Sequence, residues 1–361
     1  MNLGITAVKF LCIFQVLFVA GVFYFAPRWT RRGLFFTVTV DPDFATSERA
    51  GWVLSRYRRR IIGVAVGCLA VILWASLLSN LLLASLVSGV QVLLCFGCLL
   101  AGRRQILPYS RQQPDLTREA SLVTQPDPLP GGFLGQAGPF LVLFAAGLFL
   151  ISVWDSIPET FATHWGPDGQ PDAWTHKNRF SVTMPLAFGA GLSVLIQWLA
   201  YSLLTHARRV DSAGEGAVTE TARRTALARA TLIASYFTAG LMGWISLSPI
   251  LEPRMGSESL GMVTLVATTL GSVALMIYVL AVLVPQFKVA NRQAESPGDR
   301  SPDACWKLGV LYFAPDDPAI WVEKRFGLGY TLNFAQPIAW ATIGIAVLGP
   351  ALILTVWTAG A

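Results

Sequence analysis

Apolar and polar positions segregate into long blocks along this chain. Predominantly apolar runs occupy 3–26, 61–78, 81–101, 135–154, 180–204, 228–251, 259–284 and 338–358. Each is long enough, at ~1.5 Å of helix rise per residue, to cross most or all of a hydrocarbon core of roughly 30 Å. The pattern predicts an all-α membrane protein with about eight transmembrane helices. Ser79 and Asn80 alone separate the second and third runs, so that pair reads as a helical hairpin. Gly63 and Gly67 have the GxxxG spacing that suits close helix packing, and Pro185 predicts a kink early in the fifth run. The first run carries one early cation, Lys9, lacks a small-x-small cleavage site and precedes an arginine cluster. It reads as a retained helix rather than a cleaved leader, with Lys9 snorkelling to the outer interface.

The polar blocks set the organisation. Residues 26–60 hold eight arginines, a strand-like alternation in GLFFTVTVDPDF and an amphipathic helix in GWVLSRYRRR. Residues 102–134 are rich in proline and predict an extended, mobile linker. Residues 206–227 read as a polar loop. The resulting division is an N-terminal three-span region (1–134), a two-span unit (135–204) around the loop 155–179, two further spans (205–285), and a C-terminal part (286–361). That last part has an interfacial segment, 306–337, ahead of its span.

Composition agrees: 54% of residues are hydrophobic and 13% charged, against roughly 25% charged in soluble domains. The net charge of +6 matters here through its placement. Of 27 lysines and arginines, 23 lie in the loops after the first, third, fifth and seventh runs. Only Lys177, Arg179 and Arg254 lie on the other side. The positive-inside rule then puts both termini and the loop 155–179 outside, and the arginine-rich loops in the cytoplasm. Short basic blocks flanking apolar runs argue against nucleic acid as a partner and for the lipid bilayer.

The outer loop concentrates the polar chemistry. Between Trp154 and Lys177 it holds two of the three histidines, His164 and His176, and four acidic residues. His164, Asp168, Asp172 and His176 recur every four residues, which on a helix would make a metal face. Pro158, Gly166, Pro167, Gly169 and Pro171 rule that helix out and predict a β-hairpin instead, with Gly169 supplying a positive φ at the turn. Such a hairpin would bring His164 towards His176, with the histidines simply hydrogen-bonded within the hairpin rather than holding a metal. Trp154, Trp165 and Trp174 suit a membrane-interface belt.

Residues 157–177, IPETFATHWGPDGQPDAWTHK, resemble the loop of a bacterial membrane domain of unknown function. That loop reads roughly Ile-Pro-x-His-[Phe/Trp]-x-x-x-Gly-x-Pro-Asp-x-Trp-x-x-Lys. Ile157, Pro158, His164, Trp165, Gly169, Pro171, Asp172, Trp174 and Lys177 stand at its positions. The domain is found in the SdpI-like family, named for membrane immunity proteins against a secreted killing toxin. The resemblance covers about residues 135–204. It implies a bacterial plasma-membrane protein that senses, or confers immunity to, an extracellular toxin or antimicrobial peptide. Trp154, Pro158, His164, Trp165, Asp168, Asp172, Trp174 and Lys177 would form the binding surface, and a cytoplasmic regulator would be the partner that receives the signal.

A second stretch, WKLGVLYFAPDDPAIWVEKRFGLGYTLNFAQP, is similar to a short domain of unknown function found in such proteins on the cytoplasmic side. Asp317, Pro318, Val322, Lys324, Arg325, Gly327, Gly329, Thr331, Asn333 and Phe334 carry that pattern. Gly327 and Gly329 allow a tight backbone path, and Lys324 and Arg325 are expected to face anionic head groups. RRGLFFTVTVDPDF, residues 31–44, echoes this stretch: both pass from an apolar alternation into Asp-Pro and then a basic cluster.

No HExxH, GxSxG or phosphate-loop motif occurs, which predicts no enzyme activity and no cofactor or metal. Cys95 and Cys98 sit within an apolar run and read as small buried apolar residues. No Asp or Glu lies within a run, against an ion-coupled pump. Gln15, Gln91 and Gln197 read as ties between helices, with a permease lined by Gln91 or Gln197, or a structural scaffold, as the alternative functions.

Overall fold

The computed structural model describes residues 3–28, 30, 33–77, 81–111, 127–165, 170–207, 215–293, 301–325 and 329–360. In chain order these form α1 (Leu3–Phe25), β1 (Leu34–Phe35), β2 (Val38–Thr39), α2 (Glu48–Leu77), α3 (Leu81–Ile106), α4 (Gly132–Ser152), β3 (Thr160–Trp165), β4 (Pro171–His176), α5 (Arg179–His206), α6 (Glu215–Ser246), α7 (Ser248–Met255), α8 (Ser257–Gln293), β5 (Trp306–Lys307), β6 (Leu311–Tyr312), β7 (Trp321–Glu323), β8 (Tyr330–Leu332) and α9 (Pro337–Gly360). The strands pair as four antiparallel hairpins, β1–β2, β3–β4, β5–β6 and β7–β8.

Among the described residues, four helices are long and apolar enough to cross a membrane: Gly89–Tyr109, Gly132–Ser152, Arg179–His206 and Ser257–Val282. A fifth is added if Thr221–Ser246 and Ser248–Met255, bent by 60° at their junction, count as one span. Cys12–Phe25 and Pro337–Gly349 are shorter apolar helices. The protein is thus mainly helical, with four to five candidate spans and short β-hairpins, where eight spans were expected. These long apolar helices are compatible with a multi-pass membrane protein.

Several expected boundaries move. Residues 102–106 continue α3, and α4 starts at Gly132. The stretch 112–126 of the expected linker lies outside the described residues, as does the Ser79–Asn80 turn. The expected loop 206–227 is helical from Glu215, and the polar segment after 286 begins as helix up to Gln293. In α6, Arg224 is buried and its Nε lies 3.2 Å from Asp127 Oδ2. That pairing lets a charged side chain leave water without a large desolvation penalty.

The chain divides into two compact units, 1–120 with 290–336, and 121–289 with 337–361. In the first, α1, α2 and α3 pack around the β1–β2 hairpin. Phe35, Phe36, Val38, Tyr57, Ile61, Cys95, Leu99 and Ile106 are its buried core. The Tyr57 hydroxyl donates to Phe23 O (2.6 Å), and the Phe36 ring meets the Tyr57 ring edge-on with centroids 5.0 Å apart. Gln91 Nε2 donates to Val16 O (2.9 Å), tying α3 to α1, whereas Gln15 is exposed. Gly63 and Gly67 do not pack closely: a Cβ at either would meet nothing within 4 Å among the described residues.

In the second unit, α4, α5 and α6 pack side by side. A Cβ at Gly189 would lie 2.8 Å from Met242 Cβ, so the absence of a side chain there sets how near α5 approaches α6. Gln197 Nε2 donates to Gln136 O (2.8 Å) and to Ser235 Oγ (3.4 Å), joining α5 to both neighbours. With no hydrophobic driving force between helices in lipid, close packing and hydrogen bonds of this kind hold a bundle together.

Candidate functional site

The hairpin β3–β4 is built on helix ends. Phe161 of β3 is buried with Leu150 of α4, Ile157, Val182 of α5 and Ile250 of α7. Its other end is fixed by the start of α5. Asn178 Oδ1 accepts from Ser181 N (2.7 Å), Asn178 N donates to Ser181 Oγ (3.1 Å), and Ser181 Oγ donates to His176 O (2.8 Å). This is a capping box, which satisfies N–H groups that a helix start leaves unpaired. At the hairpin base the Lys177 ammonium sits 5.4 Å from the Trp154 ring centroid, and Lys177 N donates to Glu159 O (2.8 Å). Trp154 and Lys177 therefore hold the hairpin down, and Pro158 is half-buried beside them.

The register decides what the hairpin shows. Thr160 faces His176, Phe161 faces Thr175, Ala162 faces Trp174, and His164 faces Ala173, with irregularities after Ala162 and His164. Alternation turns Phe161 and Thr175 inward and leaves Asp172, Trp174 and His176 exposed. Trp174 is 58% exposed. His164 Nδ1 lies 2.5 Å from Asp172 Oδ1, both side chains being exposed. The expected approach of His164 to His176 does not occur. His176 pairs with Thr160, four residues along β3 from His164, or ~13 Å of strand. No group of three His, Cys, Asp or Glu able to hold a metal occurs among the described residues. Trp165 is half-buried; Asp168 and Gly169 lie outside the described residues.

Behind β3 opens a cavity of about 220 Å³. Phe161, Ala162 and Thr163 form one wall; Val182, Met184, Pro185 and Phe188 of α5 form another. The remainder comes from the bend between α6 and α7, through Met242, Ile245, Ser246, Ser248 and Pro249. Two of its hydroxyls are already committed: Ser181 Oγ to His176 O, and Ser246 Oγ to Gly243 O (2.7 Å). The site thus pairs an exposed face of Trp174, His176 and a His–Asp pair with an apolar cavity behind it. That arrangement can hold an apolar group and hydrogen-bond a polar one. The cavity itself was missed from sequence, although Pro249 inside the sixth apolar run marks the helix break that creates it.

The second singled-out segment is a folded element rather than a face towards head groups. Arg325, expected to face lipid, is 1% exposed. Its guanidinium pairs with Asp303, donates to Ser301 O and Thr37 O, and stacks 5.2 Å from the Trp306 ring centroid. Asp303 also accepts from Thr39 N (3.2 Å), Thr39 Oγ1 (2.9 Å) and Ser110 Oγ (2.5 Å). Asn333 is fully buried: its Nδ2 donates to Ala314 O and Asp317 O (both 2.9 Å), and its Oδ1 accepts from Ala314 N (3.1 Å). Lys324 is exposed, Gly329 has φ +93°, and Gly327 lies outside the described residues.

The echo between 31–44 and this segment becomes two hairpins meeting turn to turn. Phe36 and Thr37 have φ of 48° and 63°; Leu308 and Gly309 have 53° and 75°. A Cβ at Gly309 would lie 2.1 Å from Thr37 Oγ1. A β-branched residue at positive φ is an unfavourable conformation. Here Arg103 Nη1 donates to Thr37 O (2.7 Å) and Oγ1 (2.8 Å), and Arg325 donates to the same carbonyl.

Comparison with known proteins matches both distinctive stretches. A family model described as a domain of unknown function, DUF1648, matches residues 140–189, which span α4, the hairpin and the start of α5. A second, described as a family of unknown function, DUF5808, matches residues 315–340. Neither model is specific to SdpI-like immunity proteins. No curated protein and no solved structure matches the chain. The chain has long apolar helices compatible with a multi-pass membrane protein and carries a DUF1648 match around its hairpin and a DUF5808 match around the buried Asn333.

Proposed function

We propose that this protein resides in a bacterial plasma membrane and binds an extracellular, membrane-active peptide at the β3–β4 hairpin, in immunity or in sensing. The observation that carries the reading is the apolar cavity behind β3, whose partner strand β4 exposes Trp174 and His176. At about 220 Å³ it is smaller than the roughly 300–1,000 Å³ of small-molecule and cofactor pockets. It suits one apolar side chain of a peptide whose backbone lies along the hairpin. Trp174 adds a large, rigid contact, and His164 with Asp172 offers a polar one. The cytoplasmic side would pass the event to a regulator, and the reading assigns no reaction to the site.

The alternative, a permease, draws less support, because Gln91 and Gln197, the residues proposed to line its path, donate to backbone carbonyls of neighbouring helices. The test is bacterial tolerance of envelope-active peptides with and without residues 158–176. The reading predicts that the deletion, expressed to the same level in the membrane, abolishes protection. Unchanged tolerance overturns it.

A further inference from the structure

The hairpin β3–β4 does not account for a second feature, on α2. The helix is 30 residues long and changes character midway. Its first half holds five arginines, and 61–77 is apolar. One face of the first half stays open to solvent. Trp52, 43% exposed, lies between the guanidinium groups of Arg49 (5.0 Å) and Arg56 (5.1 Å). Trp52, Arg56, Arg59 and Arg60 line an open groove of about 450 Å³. Four other arginines of this unit are engaged differently, while Arg104 is exposed like Arg56 and Arg59. Arg58 lies over the Tyr24 ring, Arg103 and Arg325 are buried, and Arg111 pairs with Asp41. Among the described residues, Arg49, Arg56, Arg59 and Arg60 have no carboxylate partner.

The same exposed helix face continues beyond the groove. Residues 52, 56, 59, 63, 66, 67, 70, 73 and 74 recur at three- and four-residue steps and share a face. All of them are exposed. Gly63, Gly67 and Ala70 make the middle of that face shallow, and a Cβ at either glycine meets nothing within 4 Å. Leu73 and Trp74, each 57% exposed, close its far end. From Arg59 to Trp74 the helix rises ~22 Å, longer than one leaflet's share, about 15 Å, of the hydrocarbon core.

We infer that this face binds an anionic phospholipid, with its phosphate on Arg56, Arg59 and Arg60, its head group against Trp52, and an acyl chain in the trough over Gly63 and Gly67. Guanidinium groups with no carboxylate partner among the described residues, next to the apolar half of the same helix, supply charge complementarity to a phosphate. The trough supplies what free phosphate cannot use. The inference is independent of the peptide reading, because it rests on other residues in the other unit.

The full chain, reconstituted into nanodiscs of mixed phosphatidylglycerol and phosphatidylcholine, is examined by native mass spectrometry for retained lipid. Retained phosphatidylglycerol in clear excess over its share of the disc is expected. Arg56→Gln and Arg59→Gln should each reduce that excess about fivefold, taking the surface value for one cation near anionic lipid. Lys307→Gln, at an exposed lysine outside the groove, should leave it unchanged. Gly63→Leu, which fills the trough without touching charge, should also reduce it. Both sites are exposed, and an unchanged melting temperature would show that the variants fold. Excess inorganic phosphate should not displace the lipid. Retention that follows disc composition, survives the arginine substitutions, or is abolished by inorganic phosphate overturns the proposal.

Discussion

Replacing Arg325 with methionine removes the charge at the centre of the two-hairpin element and keeps most of the side chain's apolar volume. The arginine is 1% exposed, and its partner Asp303 is 14% exposed at the side chain. Breaking a buried ion pair from one side costs ~3–5 kcal/mol, because the remaining charge stays buried. Asp303 keeps three donors, from Thr39 N, Thr39 Oγ1 and Ser110 Oγ, so the lower end, ~3 kcal/mol, applies. Thr37 O also loses one of two arginine donors that hold its turn at φ 63°. Hydrogen exchange followed by mass spectrometry in nanodiscs reads the effect locally. A loss of ~3 kcal/mol should speed exchange about a hundredfold in 34–39 and 306–312, where exchange proceeds by local opening. Peptides covering β3 and β4 belong to the other unit and should be unchanged. Exchange in 34–39 within threefold of wild type would refute the reasoning.

Other consequences are as direct. Gly189→Ala drives a methyl against Met242 Cβ at 2.8 Å and should lower the melting temperature in detergent, at ~1–3 kcal/mol for overpacking; Gly63→Ala, with open space around it, should not. Burial is the main cause that pushes the Tyr57 hydroxyl above its ordinary range. Its contribution to stability is therefore whole below about pH 10 and is lost as pH rises further. Tyr57→Phe should remove that alkaline loss in a pH series of thermal melts, while costing about 0.5–1.5 kcal/mol at neutral pH for the hydrogen bond to Phe23 O.

The sequence was most legible where one physical rule dominated. The prolines and glycines of 158–171 forced a hairpin in place of a metal-binding helix, and β3–β4 is that hairpin. Its register was not legible, because the turn and the irregularities at Ala162 and His164 set which residues face each other, and they left His164 and His176 apart. Arginines misled for a related reason. Arg224 reads as a polar-loop residue and Arg325 as facing head groups, yet they are buried against Asp127 and Asp303, partners 97 and 22 residues away. Local pattern carries no record of such pairs. The cavity depends on a 60° bend between α6 and α7, and the hydropathy of 228–251 averages over that break. Asn333 stands in the pattern of a segment expected to be interfacial. Its amide makes hydrogen bonds to Ala314 and Asp317, so the motif's spacing serves the fold of the segment.

The central claim is that the cavity behind β3 receives an apolar side chain of an envelope-active peptide. Thr163 lines that cavity, is half-buried and has no partner in the β3–β4 register, so Thr163→Trp occludes the cavity at a position outside the strand pairing. Binding of a fluorescent amphipathic peptide to the nanodisc-embedded protein, compared between wild type and Thr163→Trp against empty discs, is the most direct measurement. Wild type should bind saturably beyond the lipid background, and the substitution should weaken that binding at least tenfold, the equivalent of ~1.4 kcal/mol. Equal binding to wild type, Thr163→Trp and empty discs would contradict it.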